Sequence, residues 1–183
     1  MPSDFSLRPL RAADLGAVLR LQADCYGPDY VEPDEAFASK LRETAALQTC
    51  WGAFDASGAL RAYAISLPVC ADTMPGLHAS DYRCPSRPTL LYLHDVAVGP
   101  QGRGRGLAQA LLARIEQRAH ALGLARMGLI AVQDSAPFWQ RLGFAPLPSM
   151  PSWLQRKLQS FGDAARYLER VSPAQPLDAC HLE

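Results

Sequence analysis

Three glycines and two arginines alternate over five positions, Gly102-Arg103-Gly104-Arg105-Gly106. Glycine has no Cβ, so its backbone can close around a phosphate, and arginine adds charge and a forked set of donors. Such a run becomes an anion site when a helix begins on it. The first turn of a helix has N–H groups without intrahelical partners, and its dipole makes that end positive. The flanking residues meet this condition. Leu90 to Val98 (LLYLHDVAV) is apolar and β-branched, broken only by Tyr92, His94 and Asp95, and reads as a strand covered on both faces. Leu107, Leu111, Ile115, Ala119 and Leu122 then recur at helical spacing. The order strand, glycine-rich turn, helix predicts a phosphorylated ligand at the start of this helix.

Two common phosphate loops do not fit. A Walker A loop needs Lys and then Ser or Thr after its last glycine, but Leu107 and Ala108 follow Gly106. A dinucleotide fingerprint needs a different glycine spacing and a later acid, and Arg126 stands near that place. The pattern that fits is Gln-x-x-Gly-x-Gly, at Gln101, Gly104 and Gly106. It resembles the acetyl-CoA pyrophosphate loop of the GNAT N-acetyltransferase superfamily. A second stretch supports the resemblance. Ala125 to Val132 (ARMGLIAV) reads as another buried strand, and Ser135-Ala136-Pro137-Phe138-Trp139-Gln140-Arg141-Leu142-Gly143-Phe144 resembles the family's closing helix and Gly-Phe turn. Leu93-His94-Asp95-Val96-Ala97-Val98, taken with Pro137 to Phe144, is nearest in motif to the arylalkylamine N-acetyltransferase branch.

The resemblance implies an α/β (α+β) domain with the GNAT fold. Its mixed, splayed central sheet would have about six or seven strands flanked by helices. It also implies acetyl transfer from acetyl-CoA to a primary amine by direct attack in a ternary complex, with no metal and no covalent nucleophile. The backbone of Val96, Ala97 and Val98 would bind the pantetheine arm, with the Val96 N–H at the thioester oxygen. Gln101, Gly102, Arg103, Gly104, Arg105, Gly106, Leu107 and Ala108 would take the pyrophosphate. Ser135, Phe138 and Trp139 would flank the thiol. Family domains often pair, so the resemblance admits a homodimer, although no stretch marks an interface.

Strand alternation predicts Tyr92, His94, Val96 and Val98 on one face of the central strand, and Leu93, Asp95 and Ala97 on the other. His94 then shares a face with the residue beside the thioester. An imidazole titrates near neutral pH and suits proton removal, and the matching histidine of the resembled branch serves there. A histidine satisfied by a neighbouring carbonyl is the other reading. Asp95 is expected to orient a neighbour or cap a network. Two departures stand out. Tyr92 occupies the place of a second histidine of that branch. Trp139 occupies the place where many members carry a general-acid tyrosine, and an indole N–H cannot reprotonate a thiolate. Tyr92 or a water could act instead, the thiolate could leave unassisted, or the protein could bind acyl-CoA with little transfer.

Composition suits one domain with an ordinary charge fraction, and the formal net charge is zero, so no strong field favours nucleic acid or an anionic membrane. Locally the balance differs: Gly99 to Arg126 holds five arginines and a single acid, Glu116. The five cysteines are widely spaced without a CxxC pair, which argues against a disulfide framework or zinc site. No run is apolar enough for a signal core or a membrane span, so a cytoplasmic setting is expected.

In chain order, the pattern predicts strands at 5–10, 47–55, 60–69, 90–98, 125–132 and 165–171, and helices at 12–26, 35–44, 107–122, 135–142 and 152–160. Residues 1–171 form the single domain and 172–183 a tail. The acidic stretch from Asp29 to Glu35 contains Tyr30 and Glu32. It reads as a solvated loop or, by the resemblance, as a substrate-facing lip whose acids attract a small-molecule ammonium. A peptide acceptor would need an open groove, and the long 70–88 loop argues mildly against one.

Overall fold

The computed structural model describes residues 4–27, 30–159 and 161–171. The proposed tail, 172–183, lies outside the described residues. Six strands form one sheet in sequence order: β1 (Phe5–Pro9), β2 (Trp51–Asp55), β3 (Leu60–Val69), β4 (Leu90–Val98), β5 (Arg126–Ala131) and β6 (Arg166–Val171). Neighbours run antiparallel except β4 and β5, which are parallel. The helices are α1 (Leu15–Cys25), α2 (Asp34–Thr44), α3 (Leu107–Ala121), α4 (Ala136–Arg141) and α5 (Ser152–Gln159). This is the expected mixed sheet with flanking helices.

Each face of the sheet carries its own core. Tyr63, Ile65, Leu67, Leu90 and Tyr92 pack against Val18 and Leu21 of α1 and Phe37 and Leu41 of α2. Ala62, Ala64, Leu91 and Leu93 pack on the other side against Leu107, Leu111 and Ile115 of α3. That α3 stripe is the helical spacing seen in the sequence, and burying each such aliphatic side chain stabilises by about 1.5–3 kcal/mol. The helix ends in a Schellman turn: Gly123 takes φ +70°, its N–H reaches His120 O, and the Leu124 N–H reaches Ala119 O.

Two boundaries differ from the sequence reading by more than one residue. The strand expected from Leu47 starts at Trp51, because residues 45–48 extend α2 as turns and Gln48 adopts φ +51°. The helix expected from Ala12 opens as a 3-10 turn, Ala12–Asp14, where the Asp14 carboxylate accepts the Arg11 N–H at 2.8 Å.

Candidate active site

β4 and β5 pair only over Leu91–Leu93 against Met127–Leu129. Beyond Leu93 the strands part, and a cavity of about 740 Å³ lies between them. Val96, Ala97 and Val98 form one wall, and Ser135, Phe138 and Trp139 form the opposite one. Gly102, Arg103, Gly104, Gly106, Leu107 and Ala108 close one end. Gln101 and Arg105 stand outside this wall and are exposed.

The backbone supplies donors on two sides. The Gly99 N–H donates to Arg61 O at 2.9 Å, so Gly99 faces β3. Alternation therefore turns the N–H and C=O of Val98 and Val96 away from β3 and toward the gap. In keeping with this, Val96 O accepts a hydrogen bond from the Tyr26 hydroxyl at 2.9 Å. At the glycine end, Gly104 and Gly106 adopt φ +70° and +69°, a conformation that favours glycine. Ala110 N–H to Gly106 O is the first α3 bond, which leaves the amides of Leu107, Ala108 and Gln109 without intrahelical partners. A Cβ on Gly102 would lie 2.8 Å from Arg61 O, so only glycine fits that close approach. Free amides, a helix N-terminus, the Arg103 guanidinium and an elongated gap suit the pyrophosphate and arm of a CoA thioester.

The central strand corrects the predicted alternation. Its pairing with β3 shifts between Ile65 and Ser66: Ile65 opposes Asp95 and Ser66 opposes Leu93, so His94 is an extra, unpaired residue. A bulge of this kind reverses the faces beyond it. Val96 and Val98 consequently pack with Leu93 on the α3 side, whereas Ala97 joins Tyr92 on the α1 and α2 side. Tyr92 and Val96 therefore lie on opposite faces, contrary to simple alternation.

Glu32 is buried rather than solvated, and it joins four elements. Its Oε2 lies 2.9 Å from His94 Nε2. Its two carboxylate oxygens accept from Lys40 Nζ at 3.2 and 3.1 Å. Oε1 also accepts the His78 N–H at 2.6 Å, and the Glu32 N–H donates to Gln22 Oε1. Lys40 completes its donors on Ala36 O and Ala79 O. Burial pushes the Glu32 carboxyl up, but the His94 and Lys40 contacts outweigh it and hold the group at about 2. Burial lowers Lys40, opposed by Glu32. The His94 side chain is 1% exposed, and its Nδ1 has no protein partner.

Asp95 is buried at the bulge and accepts from two tyrosines, Tyr26 and Tyr63, at 2.6 Å each. Burial raises the Asp95 carboxyl, opposed by these two hydrogen bonds. Burial also holds both phenols well above the ordinary tyrosine range. Asp95 does cap a network, but on the Tyr92 face rather than on the opposite face that alternation predicts, because the bulge has turned it over.

His94, Tyr30 and Glu32 all line the cavity. Tyr92 does not. It is buried in the core beside His94, ring centroids 5.6 Å apart, with its hydroxyl raised by burial. Sequence reasoning passed over Tyr26, Lys40, Leu77, Gln133 and Phe161. Gln133 and Asp134 carry φ +51° and +57° just before α4, a left-handed pair of non-glycine residues, and Gln133 lines the cavity. No periodic signal marks any of these positions. Among the described residues no His, Cys, Asp or Glu cluster could hold a metal ion, and no helix is long and apolar enough to cross a membrane.

Comparison with solved structures finds the same fold. The PaiA N-acetyltransferase of Thermoplasma acidophilum, in complex with coenzyme A, is 13% identical, with a TM-score of 0.65 over 91% of this chain and 98% of that one. The Drosophila melanogaster polyamine N-acetyltransferase, which forms N-acetylagmatine, is 18% identical, with a TM-score of 0.65 over 92% of this chain and 100% of that one. The Escherichia coli ribosomal-protein-S18-alanine N-acetyltransferase is 16% identical, with a TM-score of 0.61 over 94% and 97%. Comparison with curated proteins finds no match. The model of the acetyltransferase (GNAT) family matches residues 16–144, which include the glycine turn, the splayed strands and the Gly-Phe turn. The chain belongs to the acetyltransferase (GNAT) family.

Proposed function

We propose that this enzyme acetylates the primary amine of a small molecule by direct attack in a ternary complex, and that the acceptor is a monoamine with an apolar or aromatic tail, of the arylalkylamine kind. The observation that carries the reading is the composition of the cavity beyond β4. Tyr30, Leu77, Ile130 and Phe161 line it, and both carboxylates in its lining are already engaged, Glu32 by Lys40 and His94, and Asp95 by Tyr26 and Tyr63. A second ammonium, as in a polyamine, would find no free carboxylate among the described residues lining that end. The 70–88 loop, tied to Glu32 and Lys40 through His78 and Ala79, brings Leu77 into the cavity lining, which supports a small acceptor over a peptide.

Bound acetyl-CoA supplies a thioester carbonyl activated toward attack. The α3 amides and Arg103 hold its pyrophosphate. The Val96 N–H is aimed to offset charge that develops on the acyl oxygen. With Nε2–H donated to Glu32, His94 offers Nδ1 as the atom that accepts the ammonium proton, relayed by water from the cavity. Trp139 lines the thiol side without an ionisable proton, so water reprotonates the departing sulfur.

The test is thiol release from acetyl-CoA with arylalkylamines, polyamines, amino acids and short peptides, beside calorimetry for acetyl-CoA. Release dependent on arylalkylamines is the expected result. Release only with polyamines or peptides would overturn the acceptor assignment. Tight binding with no release on any acceptor would favour an acyl-CoA-binding protein.

A further inference from the structure

The bulge at His94 leaves the next two residues in an unusual position. On one side, Asp95 and Val96 oppose Ile65 and Ala64 of β3. On the other side the ladder to β5 ends at Leu93 opposite Leu129, so no strand holds the cavity edge of residues 94–98. An isolated amide edge of this kind can tilt, because each strand peptide is normally held by hydrogen bonds to both neighbours. Here one side chain takes the missing neighbour's place. The Tyr26 hydroxyl, at the C-terminal end of α1, lies 2.9 Å from Val96 O and 2.6 Å from Asp95 Oδ1. Its single proton is shared between the two acceptors. Tyr63 of β3 holds the other carboxylate oxygen, Oδ2, at 2.6 Å.

The arrangement is a three-point clamp. The bulge turns Asp95 onto the α1 side, where a buried carboxyl without donors would be costly. Two phenols from separate elements satisfy it. One of them also reaches the carbonyl of Val96, whose N–H faces the same gap. The Val96 N–H belongs to the planar peptide between Asp95 and Val96, so pinning the Asp95 side chain on one flank and the Val96 carbonyl on the other restrains that unit from both ends.

We propose that Tyr26, Asp95 and Tyr63 are positioning residues that hold the Val96 amide in the direction of the acyl oxygen. The inference rests on the reading of the cavity as the acetyl-CoA site. The cluster touches no reacting atom. It acts through the bulge, by removing a reorganisation that an unclamped amide would undergo on the way to the transition state. It differs from a purely stabilising network in one respect: its loss should change the environment of the acyl carbonyl while leaving affinity for the pyrophosphate end unaltered.

The experiment uses acetyl-CoA labelled with 13C at the acetyl carbonyl, bound to the wild-type protein and to the Tyr26→Phe and Tyr63→Phe variants. Isotope-edited infrared spectra read the carbonyl stretch, and calorimetry reads acetyl-CoA affinity. Each variant deletes one hydroxyl and keeps its ring, so the fold is retained where Asp95→Asn could lose it. In the wild type the carbonyl band should fall below that of free acetyl-CoA. In Tyr26→Phe it should return toward the free position or broaden, with affinity unchanged within about two-fold, a difference of roughly 0.4 kcal/mol. Tyr63→Phe should produce the same change, smaller, because Tyr26 still reaches Val96 O. Bands identical to wild type in both variants, with ligand bound, would overturn the positioning role and leave the cavity assignment standing. Failure of the wild type to bind acetyl-CoA would overturn the cavity assignment and the clamp with it.

Discussion

Glu32 Oε2 and His94 Nε2 lie 2.9 Å apart, although 62 residues separate them in the chain. Lys40 holds the same carboxylate, so the imidazole partners a charge that is already offset. A carboxylate can only accept, so Nε2 carries the hydrogen between them, and Nδ1 is left without a protein partner. In the proposed mechanism, His94→Ala lowers kcat by roughly 10²- to 10⁴-fold and leaves the acetyl-CoA dissociation constant unchanged. Thiol-release kinetics with parallel calorimetry check this, and an unaltered kcat would remove His94 as the base.

Lys40 is fully buried, with Glu32, Ala36 O and Ala79 O as its acceptors. Lys40→Met deletes one member of a buried ion pair, and the uncompensated Glu32 should cost about 3–5 kcal/mol of stability. Urea unfolding measures the loss. A variant as stable as the wild type would mean that the carboxyl had taken up a proton or found water.

Glu32 also makes stability depend on acid. Its folded value, about 2, lies below the ordinary 4.5. The stabilisation is therefore fully present above the unfolded value and is lost as pH falls through the folded one. Glu32→Gln should be less stable at neutral pH, because Lys40 loses its carboxylate. It should then lose stability less steeply than the wild type between pH 4.5 and 2. Denaturant midpoints across that window test the slope, and parallel curves would assign the acid sensitivity elsewhere.

Gly104→Glu tests the anion site. The position adopts φ +70°, where a side chain is strained although space is open, and the new carboxylate would face the phosphates. Strain and repulsion together should weaken CoA binding by on the order of 100-fold or more. Calorimetry that returned wild-type affinity would refute the loop assignment.

Trp139 packs between Phe138 and Phe144, with ring centroids 5.1 and 5.7 Å away, and lines the cavity. Trp139→Tyr brings an ionisable hydroxyl to that wall and should raise kcat in the thiol-release assay. An unchanged kcat would mean that thiolate departure does not limit turnover.

Much of this protein is written in short stretches. The 60–69 and 90–98 strands and the start of the α3 helix at Leu107 fall where residue periodicity places them. The glycine turn was legible because φ near +70° at Gly104 and Gly106 is a local demand that glycine meets at no steric cost. What alternation missed is the His94 bulge. A bulge arises from how two strands, brought together by packing on both faces of a sheet, match their registers, and neither strand carries it alone.

The residues around the acceptor show the same division. The sequence by itself determined a glycine-rich helix start, two buried strands beside it, and a histidine on the central one. The tertiary structure alone decided that Glu32, from an acidic stretch that reads as solvated, is buried against Lys40 and His94. It alone decided that Tyr26 and Tyr63 meet at Asp95. The physical reason is range. Glycine conformation, helix spacing and strand runs depend on neighbours in the chain, whereas burial of a charge is tolerable only once a distant partner has been folded into reach.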